Sequence, residues 1–145
     1  MMCMIAMEIR DLVVKVDGYP IVDDLTLTVE EGELIGIMGD YQDALAVMNT
    51  LCGFTLPDSG EIWIYNMPPR QALQRGLINY IFQSGSVDSL PAPTVLITHN
   101  TFRSHTHSAN IIIQLLPHIE FPDKSIYNNY NKIVNLISRR RNIKL

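Results

Sequence analysis

The chain has 145 residues, of which 47% are hydrophobic and 18% are charged, and its formal net charge is −4. This length allows one domain with a sizeable core, and this composition excludes an intrinsically disordered chain. No apolar run reaches the ~18 residues that a membrane-spanning helix needs, and two cysteines, Cys3 and Cys52, do not make a disulfide framework.

The charge is distributed unevenly along the chain. Residues 1–123 contain all 15 acidic residues and five basic ones, whereas residues 124–145 contain six basic residues and no acidic one. The basic tail lacks the interleaved aromatic residues that favour nucleic-acid binding, so no nucleic-acid partner is expected. The first residues, MMCMIAMEIR, lack the basic segment and the long apolar segment of a secretory signal, which predicts a cytoplasmic protein.

The first part of the chain is rich in strand signals. Alternation and β-branched content predict five strands, at residues 7–16, 21–29, 33–38, 61–65 and 78–82. Asp17-Gly18 predicts the turn of a hairpin. A helix is expected over residues 44–52, closed by Gly53. A second short helix, RQALQRG, is expected directly after a pair of prolines.

The secondary-structure signals in the sequence are less regular after residue 95. The run SANIIIQLLPHIE fits either a short buried helix or a strand. Apolar residues then recur at helical spacing and predict an amphipathic helix over 126–141; they are Ile126, Tyr130, Ile133, Val134 and Ile137. We therefore divide the chain into residues 1–95 and a divergent tail, residues 96–145.

Several sequence segments of residues 1–95 occur together in one known family. In this order, LTLTVEEGELIGIMG, NTLCGFTLPDSGEIWIY and INYIFQ resemble the N-terminal part of the ATP-binding subunits of ABC transporters. VDSLPAPTV is similar to the version found in importers of manganese and zinc, and the resemblance covers about Met7 to Val95. It implies an α/β fold, in which an antiparallel β lobe is combined with a truncated P-loop NTPase-like core. It also implies ATP and Mg²⁺ as cofactors and a membrane permease as partner, at the inner face of the membrane.

The phosphate-binding motif of that family, Walker A, is degenerate in this chain. Its glycines turn backbone N–H groups toward the phosphates, its lysine reaches the β and γ phosphates, and its hydroxyl binds Mg²⁺. The stretch GDYQDALAV keeps only the first glycine, Gly39. Gln42 and Ala44 stand where later glycines belong, Leu45 stands at the lysine and Ala46 at the hydroxyl.

The replacements also add negative charge. Asp40 and Asp43 place carboxylates where a polyphosphate would lie, and two like charges ~4 Å apart repel by about 4 kcal/mol at an effective dielectric constant of 20. Asp43 is predicted to cap the helix that follows it. Neither ATP nor Mg²⁺ is therefore expected as a working cofactor of this chain.

Two other positions match the family's nucleotide site. Gln83 matches the glutamine that contacts the metal and the attacking water, and Tyr19 could replace the aromatic residue that stacks on adenine. We assign both, with Gly39, as vestigial nucleotide-binding residues. No LSGGQ-like signature and no Walker B strand follow Gln83, so no catalytic residue is assigned and the chain is expected to be a pseudo-ATPase.

Three functional hypotheses remain open. The chain is a degenerate, truncated ATP-binding subunit whose activity depends on partners, or an interaction module that keeps the strand-rich lobe as scaffold and docks through the helix of residues 124–145, or the product of a decayed gene. The expected partner is a permease or a second copy of the chain. Three histidines in HNTFRSHTH indicate a polar loop, and no metal site is expected. The absence of later parallel strands leaves sheet edges that residues 96–122 or the terminal helix must cover.

Overall fold

The computed structural model describes residues 4–81, 94–98, 110–116 and 130–137. Their elements, in chain order, are β1 Ile5–Val16, β2 Tyr19–Glu30, β3 Leu34–Met38, α1 Tyr41–Leu51, β4 Ser59–Ile64, α2 Pro69–Gln74, β5 Ile78–Ile81, β6 Thr94–Thr98, β7 Asn110–Leu116 and β8 Lys132–Asn135. The predicted α/β class with an antiparallel β lobe is confirmed, and each of the five predicted strands overlaps an observed strand.

The antiparallel lobe is a three-stranded sheet in the order β2-β1-β4. Asp17 and Gly18 connect β1 to β2, and their φ angles of 52° and 79° give the left-handed turn that matches the twist of a hairpin. β4 pairs antiparallel with β1, and Gly60 lies opposite the register shift of β1 between Arg10 and Val13. The φ of Gly60 is +89°, and a Cβ on it would lie 2.3 Å from the carbonyl oxygen of Asp11. The lobe thus depends on short-range turn signals and on one close backbone contact.

The second sheet is mixed, in the order β5-β6-β7-β3-β8. β3 lies inside it and runs parallel to both β7 and β8. Ile35 and Ile37 are buried, as predicted for a strand that is covered on both faces. The ambiguous run after residue 107 forms a strand at β7, so residues from 96–122 do cover one edge of β3.

The predicted amphipathic helix over 126–141 is wrong where the structure describes that segment. Lys132–Asn135 form a strand, β8, parallel to β3. A helix would satisfy only its own main chain, whereas the strand also pairs the second edge of β3. Ile133 and Val134 are adjacent and β-branched, which favours the extended form. The helical spacing of the apolar residues was therefore misleading.

The core lies where the two sheets and α1 meet. A small internal space of about 10 Å³ is lined by side chains from both sheets and α1, namely Met7, Ile9, Leu25, Leu27, Val29, Ile35, Ile37, Val47, Leu51 and Val134. Val134 is in β8, so the tail contributes to the core of the first region. No helix among the described residues is both long and apolar enough to cross a membrane.

Candidate functional site

The junction between β3 and α1 is where the resemblance places a phosphate-binding loop. β3 ends at Met38 and α1 begins at Tyr41, so only Gly39 and Asp40 connect the strand to the helix. Asp40 is the N-cap residue, with φ −60° and ψ 141°, and its carbonyl oxygen accepts a hydrogen bond of 2.8 Å from the N–H of Ala44. In the family's motif the glycine-rich loop leads into the helix near the lysine, whereas here α1 begins at Tyr41, ahead of the positions of Leu45 and Ala46.

The predicted capping role of Asp43 is wrong. The helix begins at Tyr41, so Asp43 lies in its first turn and Asp40 takes the N-cap position, without a side-chain capping bond among the described residues. The stretch Tyr41 to Asp43 contains neither glycine nor proline, so no residue in it opposes an early start of the helix. The side chain of Asp43 is only 1% exposed, and a carboxylate in a first turn interacts favourably with the helix dipole.

The positions that match the lysine and the hydroxyl of the motif lie in the second turn of α1. Leu45 and Ala46 are partly buried and pack against the hydrophobic core. Tyr41 and Gln42, one turn earlier, are exposed. The junction therefore presents an aromatic residue and an amide beside the half-buried Asp40, whereas Asp43 is buried and the apolar side of the helix faces inward.

Gly39 has a packing reason to be glycine. A Cβ atom on Gly39 would lie 2.8 Å from Leu136 Cβ and 3.0 Å from Leu136 Cδ1. Carbon atoms in van der Waals contact are ordinarily 3.4–4 Å apart, so Leu136 leaves no room for a side chain here. The nucleotide-binding role assigned to Gly39 by resemblance remains a prediction.

Tyr19 lies at the start of β2, opposite Val16, and is 43% exposed. The tail brings this end of β2 and the junction near one another: the N–H of Leu136 donates to Met38 O at 2.8 Å, and the N–H of Ile137 donates to Ile21 O at 2.9 Å. The stacking role of Tyr19 remains a prediction. Gln83 and the four histidines lie outside the described residues.

Sequence reasoning missed the polar groups that hold the tail. Lys132 Nζ donates to Thr28 O and to Glu33 Oε1, the latter at 2.9 Å. Burial alone would raise the pKa of Glu33, but hydrogen bonds from the Glu30 N–H and from Lys132 outweigh it, and the pKa is lowered. Asn131 is bonded to Leu34 through both its side-chain oxygen and its N–H, each at 2.8 Å. The adjacent Ile-Val pair in the tail was the signal that could have found this strand.

A groove lies between the C-terminal end of α1, β4 and α2. It encloses about 270 Å³ and is lined by Thr50, Gly53, Thr55, Leu56, Pro57, Glu61, Ile62, Trp63, Pro68, Pro69 and Arg70. Leu56 is 88% exposed and the neighbouring Phe54 is 55% exposed. Trp63 Nε1 donates to Glu61 Oε2 at 3.3 Å. The groove combines apolar walls with one acidic and one basic residue.

Metal-binding and nucleophilic groups are sparse in the described part of the chain. Across residues 4–81 and the three later segments, no three His, Cys, Asp or Glu side chains are grouped so that they could hold a metal ion. Burial raises the pKa of the Cys52 thiol to about 12, so this thiol stays neutral and unreactive at neutral pH.

Comparison with known proteins gives matches to part of the chain. No protein-family model matches the chain. Among solved structures, an ABC-transporter ATP-binding protein from Pyrococcus furiosus is 28% identical, with a TM-score of 0.42 over 46% of this chain and 34% of that one. The cbiO1 protein from Clostridium perfringens, part of the ABC transporter complex cbiONQ, is 21% identical, with a TM-score of 0.38 over 44% and 26%.

A curated relative gives the sequence match. The manganese transport system ATP-binding protein MntB of Bacillus subtilis is 35% identical over 86 residues, which are 59% of this chain and 34% of MntB. The chain thus spans about a third of the length of this relative. Over part of its length, the chain is similar to the ATP-binding subunits of ABC transporters.

Proposed function

We propose that the chain is a degenerate ATP-binding-subunit-like protein that neither binds Mg-ATP in the family's manner nor hydrolyses it. The observation that carries the proposal is the two-residue junction between β3 and α1. A phosphate cradle needs several consecutive backbone N–H groups that point away from the helix. Here only Gly39 and Asp40 separate β3 from α1, and the first helical bond, from the N–H of Ala44 to Asp40 O, lies where the motif has its loop.

Charge supports the same proposal. Asp40 is the N-cap residue of α1, Asp43 is buried in its first turn, and Leu45 packs against the core where the motif requires a lysine. A repulsion of about 4 kcal/mol for each close pair of like charges corresponds to roughly a thousandfold loss of affinity. The missing ammonium group removes an attraction of similar size.

The partner that the similarity suggests is the membrane permease of a transporter. MntB is the ATP-binding protein of a manganese transport system, and cbiO1 is part of an ABC transporter complex. An ATP-binding subunit reaches the membrane through such a partner, and we place this protein at the inner face of the membrane on that ground. Whether this protein takes part in manganese transport is a separate question from whether it binds a nucleotide.

Nucleotide binding is the direct test. The full chain is titrated with ATP, with and without Mg²⁺, by isothermal calorimetry and with a fluorescent ATP analogue. We expect no saturable binding below about 1 mM. Saturable binding that requires Mg²⁺ would refute the proposal.

A gain-of-function variant locates the cause. The combined substitution Gln42→Gly, Ala44→Gly, Leu45→Lys and Ala46→Ser restores the residue types of the motif, and Leu45→Met is the matched control. We expect measurable Mg-ATP binding from the first and none from the second. Equal behaviour of the two variants would show that the missing residue types do not account for the loss.

A second candidate function is an interaction module. The docking helix predicted for the tail is a strand at Lys132–Asn135, so we assign docking to the groove instead. Leu56 and Phe54 expose large apolar surfaces beside it, which suits an apolar helix face of a transporter's membrane subunit.

The docking surface is tested by co-purification. Leu56→Asp is compared with Asp58→Asn, a substitution at a neighbouring exposed residue, after co-expression with a membrane subunit of the same transporter type. Leu56→Asp should lose co-purification and leave stability within about 0.5 kcal/mol of wild type. Retained co-purification would exclude the groove as the docking surface.

A further inference from the structure

We infer that residues 130–137 form a releasable strap, a segment that closes the seam between the antiparallel lobe and the mixed sheet and can open while both remain folded. The strap touches the β3–α1 junction through Leu136, but the inference does not depend on the function proposed above. Its position, its anchors and its exposure each support the inference.

The strap lies between β2 and β3. On one side β8 pairs in parallel with β3, with Ile133 opposite Gly36 and Val134 opposite Ile37. On the other side the strap reaches β2 at two points: Lys132 Nζ contacts Thr28 O, and the Ile137 N–H contacts Ile21 O. β2 and β3 belong to different sheets. The strap therefore joins the two sheets.

The polar anchors of the strap are concentrated at its first residues. Lys132 forms an ion pair of 2.9 Å with Glu33, and the two side chains are 34% and 15% exposed. Asn131 adds two hydrogen bonds to Leu34. Because Lys132 also contacts β2, loss of this one side chain weakens the hold of the strap on both sheets at once.

The rest of the strap is held by main-chain hydrogen bonds and is only partly buried. None of residues 130–137 is fully buried, and Ile137 is 45% exposed, whereas Ile35 and Ile37 of the adjacent strand are 3% and 1% exposed. A partly exposed strand at the edge of a sheet, such as β8, opens at a lower free energy than the buried core. Opening would uncover the edge of β3 and remove Leu136 from Gly39.

Amide hydrogen exchange of the full chain, followed by NMR, tests the inference. The N–H groups of Asn131, Leu136 and Ile137 are bonded to carbonyl oxygens of β3 and β2. In the wild type they should exchange at least about tenfold faster than the protected amides of β1, since the strap opens without global unfolding. Equal rates for the strap and β1 would overturn the inference.

Variants test the anchor. Lys132→Met keeps the length of the side chain and removes its charge, and Glu33→Gln removes the partner charge. Either variant should speed exchange of the three strap amides by about tenfold and leave β1 amides unchanged. The matched control is Arg10→Met, which breaks an exposed ion pair of 2.6 Å with Glu8 within β1 and should leave the strap unchanged. A uniform increase at strap and β1 amides in the Lys132 and Glu33 variants would overturn the inference.

Discussion

The role of Gly39 can be decided by substitution with alanine. The backbone of Gly39 lies outside the left-handed region, so alanine meets no conformational barrier there. Its new Cβ would instead lie 2.8 Å from Leu136 Cβ, 3.0 Å from Cδ1 and 3.1 Å from Cγ. If Gly39 were only a remnant of a phosphate-binding loop, the same substitution would leave stability unchanged.

The cost can be estimated from the contact. Leu136 Cβ must retreat by roughly 0.6 Å to reach ordinary contact, and a rotamer change cannot move it because Cβ is attached to the backbone. That backbone is held by the hydrogen bond from the Leu136 N–H to Met38 O. Overpacking of this kind costs about 1–3 kcal/mol. We expect Gly39→Ala to lower the free energy of unfolding by about 2 kcal/mol.

A double-mutant cycle isolates the contact. Leu136→Ala keeps the Cβ atom and should relieve the strain in part, whereas Leu136→Gly removes the whole side chain and should relieve it fully. In the Leu136→Gly background, Gly39→Ala should cost nothing or stabilise slightly, since alanine restricts the unfolded chain. The coupling energy should therefore reach about 2 kcal/mol.

Urea unfolding followed by the fluorescence of Trp63, the single tryptophan, measures these changes. Gly76→Ala is the control, because Gly76 has a φ of +74° but open space around it. It should cost about 1 kcal/mol whatever residue stands at position 136. A cost of Gly39→Ala that is below about 0.5 kcal/mol, or that persists unchanged in the Leu136→Gly background, would refute the packing explanation.

Three further predictions concern the lobe, the buried thiol and the strap anchor. Gly60→Ala should cost at least about 3 kcal/mol, seen by circular dichroism as loss of folded protein, because it combines a φ of +89° with a backbone clash at 2.3 Å. A stable variant would contradict the close approach of Gly60 to the irregular part of β1. A Cys3→Ser variant leaves Cys52 as the single thiol. At pH 8, iodoacetamide should modify Cys52 about a thousandfold more slowly in the native state than in urea, because burial raises the pKa of this thiol to about 12. Comparable rates would show that the thiol is accessible and ionised. The pKa of Glu33 is lowered in the folded state, so the contribution of Glu33 to stability is present at neutral pH and is lost as the pH falls through the folded pKa. The urea midpoint of the wild type should therefore fall more steeply between about pH 5 and 3 than that of Glu33→Gln. Parallel curves for the two proteins would argue against the anchor.

The first half of the chain was predictable because its signals are local. The Asp17-Gly18 turn follows from two residues that tolerate positive φ, and α1 ends where Gly53 takes a φ of +86°. The alternation of Leu25, Leu27 and Val29 with exposed threonines gives the half-buried face of β2. Each of these features depends on neighbours in sequence.

The start of α1 and the form of the tail were not predictable in the same way. The helix begins three residues before the expected position because β3 ends at Met38 and a two-residue connection is sufficient. The spacing in the tail suggested a helix, but the unpaired edge of β3 lies about a hundred residues earlier in the chain. No local pattern reports whether such an edge is available.

The residue types alone determined that this chain resembles an ABC ATP-binding subunit and that it lacks the lysine, the hydroxyl and the later glycines of a phosphate-binding loop, because chemistry of that kind is a property of side chains. Only the tertiary structure decided that a two-residue junction connects β3 to α1, that Leu136 leaves no room for a side chain at Gly39, and that Lys132–Asn135 form a strand beside β3. These features arise from hydrogen bonds between main-chain groups and from close contacts between residues that are far apart in sequence. Both depend on which strand edges the folded chain leaves available for pairing.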